Sequence, residues 1–264
     1  MSVAVCHRVA SALSGRPVAM EPFAFKAALD GLGARLGLDV QASDDDGGGG
    51  GTIADMKRAA TIQRLASVVE AEPVVVAGGM GEYGLTAEGI AVIPIVGTLI
   101  SRWDWLAAWC GLVSYDTIGM TLDAAMADHR VRGVLLDIDS PGGEAAGMLD
   151  LADRIRAADA AKPVWASANS LAASAGYGIA AAAGRLTLPR LGCVGSIGVV
   201  AVHIDQSAQD KEWGLKFTAL YSGARKIDGW GHAPLSAEAR DRFQAQLDEA
   251  RAKFAASVAK HRGL

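Results

Sequence analysis

The chain has 264 residues, of which 51% are hydrophobic and 20% are charged, a composition typical of a folded globular protein. Its formal net charge is −4 and no basic block stands out, so the charge gives no support to nucleic-acid binding. The three cysteines, Cys6, Cys110 and Cys193, have no paired spacing. The sequence therefore predicts a reducing compartment, with neither a disulfide framework nor a zinc site.

The beginning of the chain does not have the pattern of a signal peptide. Its first twenty residues are mildly apolar, but His7, Arg8 and Arg16 interrupt them. The longest run of small apolar residues, at 171–184, is shorter than the roughly 20 residues that a membrane-spanning helix needs. We expect a cytoplasmic protein without a membrane span.

Residues 1–84 are predicted to form a helical N-terminal arm. Apolar residues recur at helical spacing over 23–38, and a second helical stretch covers about 52–70. Between them, three aspartates are followed by five glycines, a composition that disfavours both helix and strand. Residues 43–52 are therefore predicted to be a flexible linker.

Residues 85–264 are predicted to form the main domain, in which apolar strands alternate with amphipathic helices. The predicted strands cover 90–99, 131–138, 163–168 and 216–221, and the predicted helices cover 115–129, 145–160, 174–184 and 236–261. This alternation predicts an α/β fold built from βαβ units, with a largely parallel sheet.

The first candidate functional element is the sequence Asp-Ser-Pro-Gly-Gly at 139–143, directly after a predicted strand. A pair of glycines lets the backbone turn sharply and leave N–H groups free to bind a phosphate or an oxyanion. An ordinary turn punctuated by Pro and Gly explains the same residues equally well. The phosphate interpretation is weaker, because neither common phosphate-binding glycine motif is present.

Ser174 is the second candidate, at the point where a loop enters a helix made of Ala and Gly. Small neighbours allow a substrate backbone to approach, and the start of a helix favours developing negative charge. A serine at this position is more often a helix cap, and the surrounding sequence is not a G-x-S-x-G elbow. Ser174 alone is therefore a weak signal.

Lys226 and Ser196 lie in two further glycine-containing segments, at 222–229 and 195–198. A loop lysine is normally a solvated charge, and it becomes a base only where burial lowers its pKa towards neutrality. A histidine base is the alternative, but the sequence around the five histidines does not mark any of them as one. They are His7, His129, His203, His232 and His261.

Together and in this order, these elements resemble the signal peptide peptidase A family of serine proteases, and most of all the capsid-assembly (prohead) proteases of tailed bacteriophages. The resemblance covers about residues 85–262. The matching stretches are GIAVIPIVGTLISR (89–102), GVLLDIDSPGG (133–143), PVWASANSLAASAG (163–176), GCVGSIGV (192–199) and LYSGARKIDG (220–229).

The resemblance implies a Ser/Lys dyad, with Ser174 as nucleophile and Lys226 as general base. It implies that Ser196 orients Lys226, and that the N–H groups of Gly143 and Ala175 form the oxyanion hole. It also implies a Clp-protease/crotonase-like βαβ superhelix, a homo-oligomer, no cofactor or metal, and scaffold or capsid proteins as substrates. Related proteins usually continue beyond the helix that ends here near Leu264, which leaves open a truncated, processed or naturally short form.

Three alternatives remain at this point. A membrane-associated bacterial signal peptide peptidase would carry an N-terminal anchor, which this sequence lacks. A catalytically idle assembly module of the same fold would lack a reactive serine. An acyl-CoA enzyme of the crotonase class shares the implied fold, but the Ser/Lys constellation disfavours it.

Overall fold

The computed structural model describes residues 71–76, 81–102 and 112–264, together with the backbone of residues 18–20. The predicted helices at 23–38 and 52–70 and the predicted linker at 43–52 lie outside these residues.

The described residues form eleven strands and five helices. The strands are β1 (Val18–Met20), β2 (Glu72–Val75), β3 (Glu82–Leu85), β4 (Ile90–Val96), β5 (Thr98–Ile100), β6 (Leu112–Ser114), β7 (Gly133–Ser140), β8 (Gly142–Glu144), β9 (Val164–Ala173), β10 (Arg185–Thr187) and β11 (Cys193–Gly195). The helices are α1 (Tyr115–Ala127), α2 (Met148–Ala161), α3 (Ala175–Ala182), α4 (Ser207–Glu212) and α5 (Ala237–Arg262).

The larger sheet has the strand order β10-β9-β7-β4-β3-β2, and β11 also pairs with β9. Strands β4, β7, β9, β10 and β11 run parallel, whereas β3 and β2 add an antiparallel edge. The central strands are nearly continuous apolar runs, as expected of parallel strands with both faces covered. The predicted α/β class and the largely parallel sheet are confirmed.

A smaller sheet, in the order β1-β8-β5-β6, lies at the carboxyl end of β4. Gly97 has a φ of 105°, which turns the chain between β4 and β5, so the single strand predicted at 90–99 is divided in two. The glycine pair at 142–143 is not an open turn, because it forms the buried strand β8. A Cβ at Gly143 would lie 1.8 Å from the Leu99 carbonyl oxygen, so only glycine fits there.

Helices α2 and α3 pack on the larger sheet, and α5 packs on these two helices. The Ser236 hydroxyl caps the start of α5 by accepting a hydrogen bond from the Ala239 N–H at 3.1 Å. Phe254 of α5 is fully buried against α3 at Gly178, where a Cβ would lie 3.1 Å from its ring. The predicted C-terminal helix is therefore confirmed, and its buried residues join the core.

Two further predictions differ from the structure. Strands β2 and β3 extend the larger sheet to residue 72, so the predicted domain boundary at 84/85 falls at the end of β3. Residues 216–221 form no strand, because no neighbouring strand pairs with them and their side chains are mostly exposed. Among the described helices, none is both long and apolar enough to cross a membrane.

Candidate active site

Ser174 connects strand β9 to helix α3 and has an unusual backbone conformation. Its φ is 52° and its ψ is −119°, a combination that residues with a side chain rarely adopt. Two hydrogen bonds hold it: its N–H donates to the Gly195 carbonyl at 2.7 Å, and its own carbonyl accepts from the Gly178 N–H at 2.9 Å. Such strain persists only where the surroundings enforce it, and it concentrates at functional sites.

The Ser174 hydroxyl is fully buried, and it has no hydrogen-bond partner among the described residues. It does not cap α3, so the helix-cap interpretation of this serine does not hold. An unpaired buried hydroxyl costs about 1–3 kcal/mol of stability. The strained backbone and the unpaired hydroxyl of Ser174 both lower stability, and neither has an evident structural purpose in the fold.

The Asp-Ser-Pro-Gly-Gly element lies directly beside this serine. A Cβ at Gly176 would lie 3.0 Å from the Ser140 carbonyl oxygen, so α3 and the end of β7 approach to backbone contact. The Ser140 hydroxyl donates to the Gly97 carbonyl at 2.7 Å and accepts from the Gly142 N–H at 3.2 Å. Ser140 therefore fixes the entry to β8, a positioning role that its place in the motif alone did not predict.

The two predicted oxyanion donors lie on adjoining elements. Ala175 is the first residue of α3, so its N–H has no partner within the helix. Gly143 lies in β8, paired with β1 on one side and with Leu99 of β5 on the other. Helix α3 packs against β8, which brings the two residues into the same neighbourhood as Ser174.

Two side chains, those of Tyr115 and Glu144, hold strand β8 in place through hydrogen bonds. The Tyr115 hydroxyl donates to the Glu144 carbonyl at 2.6 Å, and burial raises the pKa of this phenol well above its usual range. The Glu144 carboxylate accepts from the Ser101 N–H at 2.7 Å. A neutral buried phenol and a hydrogen-bonded carboxylate therefore hold strand β8 in place.

Of the remaining predicted residues, the structure brings Ser196 near Ser174 but not Lys226. Ser196 follows the Gly195 carbonyl that binds the Ser174 N–H, and it also has a positive φ of 56°. Lys226 lies in a series of turns and is exposed to solvent. In the described part of the chain no hydrogen bond joins Ser196 to Lys226. The Ser174 hydroxyl is hydrogen-bonded to neither of them.

No histidine in the described residues takes the place of the base. His129 is almost fully exposed on a surface turn, while His203 pairs with the Ala233 carbonyl at 3.2 Å. His232 binds Asp210, with 2.8 Å between Nδ1 and Oδ2, and His261 is buried against α2 beside Asp153. His7 lies outside the described residues.

Comparison with known proteins places this site in a family. Residues 156–264, which include Ser174, Ser196 and Lys226, match the sequence model of peptidase family S49. The chain is 45% identical over 176 residues to the head-tail preconnector protein GP5 of Enterobacteria phage P21, covering 67% of this chain and 35% of that protein. It is 40% identical over 176 residues to the capsid assembly protease C of Escherichia phage lambda, covering 67% of this chain and 40% of that protein.

The chain thus spans well under half the length of these two relatives. Solved structures that resemble it include an enoyl-CoA hydratase from Mycobacterium avium subsp. paratuberculosis, at 17% identity and a TM-score of 0.31, covering 73% of this chain and 80% of the other. The two structures superpose only loosely at that score, and the α/β fold is instead defined by the observed strand order. The family match and the phage relatives confirm the resemblance found in the sequence: residues 156–264 carry a peptidase family S49 domain.

Proposed function

We propose that this chain is a serine endopeptidase, with Ser174 as nucleophile and Lys226 as general base. One observation carries the proposal: Ser174 is held in a strained backbone conformation with a buried hydroxyl that has no partner. A hydroxyl left unpaired in this way has no competing partner when a base and a substrate approach, and nucleophilic serines need both. Because it is fully buried, the proposal also requires the site to open to the substrate.

The proposed chemistry gives each of these groups one task. The Ser174 Oγ attacks the scissile carbonyl carbon while its proton passes to a neutral Lys226, oriented by Ser196. The N–H groups of Gly143 and Ala175 stabilise the oxyanion, and the protonated lysine then gives its proton to the leaving amine. Water, activated by the same lysine, attacks the acyl-enzyme, releases the new carboxyl group and restores Ser174.

This proposal requires Lys226 to move from water into a drier site. The segment that carries it, residues 199–235 (the Lys226 segment), contains a single buried residue, Asp210. It also exposes seven large hydrophobic side chains, which favours a homo-oligomer that covers them. They are Val202, Ile204, Trp213, Leu215, Phe217, Leu220 and Tyr221. Covering this surface would remove water from Lys226, which is what its role as a base needs.

The named relatives suggest the substrates. One is a capsid assembly protease and the other a head-tail preconnector protein, both from tailed phages. We therefore propose that scaffold or capsid proteins are cut during phage head assembly, inside the host cytoplasm. A bacterial peptidase acting on membrane-derived peptides is the alternative within the same family.

A second candidate function, an idle assembly module of the same fold, is favoured by one specific observation. Lys226 is exposed and is not a hydrogen-bond partner of Ser174. A fluorophosphonate probe, which modifies only activated serines, separates the two functions. Wild-type protein labelled at Ser174 is expected of the peptidase, whereas inertness in every oligomeric fraction is expected of the module.

The peptidase is tested by cleavage of co-expressed phage scaffold or capsid protein. We expect Ser174→Ala and Lys226→Ala each to lower the cleavage rate by at least about 1,000-fold while the fold is retained. Lys216→Ala is the matched control, because Lys216 is another exposed lysine of the Lys226 segment and has no proposed role. Near wild-type cleavage by Ser174→Ala or Lys226→Ala would overturn the dyad.

A further inference from the structure

The loop that carries Lys226 (residues 222–229, the Lys226 loop) has little internal structure to hold it. Its backbone forms successive turns, in which the Lys226 N–H donates to the Gly223 carbonyl at 3.1 Å and the Asp228 N–H donates to the Arg225 carbonyl at 3.3 Å. Bonds of this kind within a loop shape it but do not fix it against the rest of the molecule. Contacts to other elements must do so.

Packing against α5 is confined to one end of the Lys226 loop, where a Cβ at Gly229 would lie 3.3 Å from the Phe243 ring. Beside this contact, a cavity of about 410 Å³ lies between the loop and the first turns of α5, and its lining includes Ile227 and Trp230 on one side and Ala239 on the other. Close packing is what normally fixes the position of a buried segment. A loop backed by a cavity can shift unless a specific bond spans the gap.

The Asp228–Arg242 ion pair spans it. Both residues line the cavity, and the Arg242 guanidinium donates a hydrogen bond to the Asp228 carboxylate across it. Both side chains are largely shielded from solvent, at 19% and 23% exposure, so water screens this pair less than an ordinary surface pair. Arg242 is itself braced from its own helix by Glu238, whose Oε1 accepts at 2.7 Å.

The chain beyond the Lys226 loop is fixed on a different surface. His232 pairs with Asp210 of α4 and stacks on Phe217 with 3.8 Å between ring centroids. The Gln206 N–H donates to the Gly231 carbonyl at 2.8 Å. The chain that follows the Lys226 loop is thus attached to α4 and to Gln206 before it, while the Asp228–Arg242 pair is the ion pair that joins the loop to α5.

We propose that Asp228 and Arg242 are positioning residues, which attach the Lys226 loop to α5 and so limit the movement by which Lys226 comes to reach Ser174. This inference depends on the proposed function for its catalytic consequence. Helix α5 is docked on α3 through Phe254, so the ion pair connects the base, through one rigid helix, to the helix that begins at the nucleophile.

Kinetics of the full chain test the proposal. We expect Arg242→Ala and the milder Asp228→Asn to lower kcat about 10- to 100-fold with KM within about twofold, because displacement of a catalytic group by about 1 Å costs that much. We also expect the acid limb of the pH–kcat profile to move. The reversed pair, Asp228→Arg with Arg242→Asp, should recover at least about tenfold over Arg242→Ala.

Arg240→Ala is the matched control. Arg240 lies on the same helix and pairs with Asp241 at 3.6 Å, but both side chains are mostly exposed. We expect it to leave kcat and the pH profile unchanged. If Arg242→Ala and Asp228→Asn lower only the unfolding midpoint, with wild-type kcat and pH profile, the pair is merely structural and the proposal is overturned.

Amide hydrogen exchange of residues 222–229 gives a readout that does not depend on activity. Exchange should be at least about fivefold faster in Arg242→Ala than in Arg240→Ala, because the loop loses its ion pair with α5. Equal exchange in the two variants would overturn the positioning role even in an inactive protein. If the wild type cleaves no substrate but exchange is still faster in Arg242→Ala, the peptidase proposal is overturned. The ion pair would then still be shown to hold the loop.

Discussion

The two regions that carry the proposed dyad are built differently. Seven of the eight residues of α3 are buried, and Ser174 before it is held by backbone bonds on both sides. The Lys226 segment, by contrast, contains short turns, one six-residue helix and a single buried residue. The surroundings of the proposed nucleophile are completed by the folding of one chain, whereas the proposed base lies on a surface that folding leaves uncovered.

This difference indicates which region of the chain would control activity. A serine protease is harmless while its base remains in water, because a protonated lysine cannot accept the serine proton. In this chain the two destabilising features of the site, the strained backbone and the unpaired hydroxyl of Ser174, lie in the well-packed region. Changes to the packed region should therefore alter stability, and changes to the Lys226 segment should alter assembly and rate.

The largest expected effect comes from the packing of α5 on α3. Phe254→Ala should lower the free energy of unfolding by about 3–5 kcal/mol, because it removes a fully buried ring and leaves a cavity. Leu220→Ala, in the Lys226 segment, should change it by less than about 0.5 kcal/mol, because that side chain is 93% exposed. Urea unfolding at low protein concentration measures both.

Sedimentation at high concentration then sharpens the contrast. Leu220→Ala should weaken self-association if the exposed hydrophobic side chains form the oligomer interface. A loss of unfolding free energy from Leu220→Ala as large as that from Phe254→Ala would show that the two regions are equally well packed in the single chain.

The alternation of strands and helices could be predicted from the sequence because burial imposes a regular spacing of apolar residues. Helices α1, α2 and α5 begin or end within a few residues of their predicted limits. Strand β8 was missed because two glycines suggest a turn, although here they are required by the close approach of the Leu99 backbone. The false strand at 216–221 has strand-forming residues but no neighbouring strand to pair with.

The candidate site was predictable only in part. Ser174, Ser196 and Gly143 stand in recognisable motifs, and the structure brings their elements together. The positive φ of Ser174 could not be predicted, because it depends on a bond to Gly195 from a distant part of the chain. The surroundings of Lys226 could not be predicted either, since they depend on surfaces that the folded single chain leaves open.

An intermediate effect is expected at Ser174 itself. Ser174→Gly should raise the free energy of unfolding by roughly 1–2 kcal/mol, because it relieves the positive φ and removes the unpaired hydroxyl, less the entropy cost of glycine. Ser174→Ala should gain less, because alanine keeps the strain. Thermal unfolding of the three proteins provides the measurement, and a destabilised Ser174→Gly would show that the hydroxyl has a structural partner.

The smallest effect is a pH dependence in the packed region. Burial lowers the pKa of His261 below its ordinary value of 6.5, although Asp153 opposes this while Arg156 and Lys260 add to it. Protons therefore bind the unfolded chain more tightly, so stability is full above about pH 6.5 and falls as the pH drops below that value. His261→Gln should reduce the loss of unfolding free energy between roughly pH 7.5 and 5.5, which urea unfolding at a series of pH values measures. His129→Gln, at an exposed turn, should keep the wild-type slope, and an equal slope in His261→Gln would assign the pH dependence to other groups.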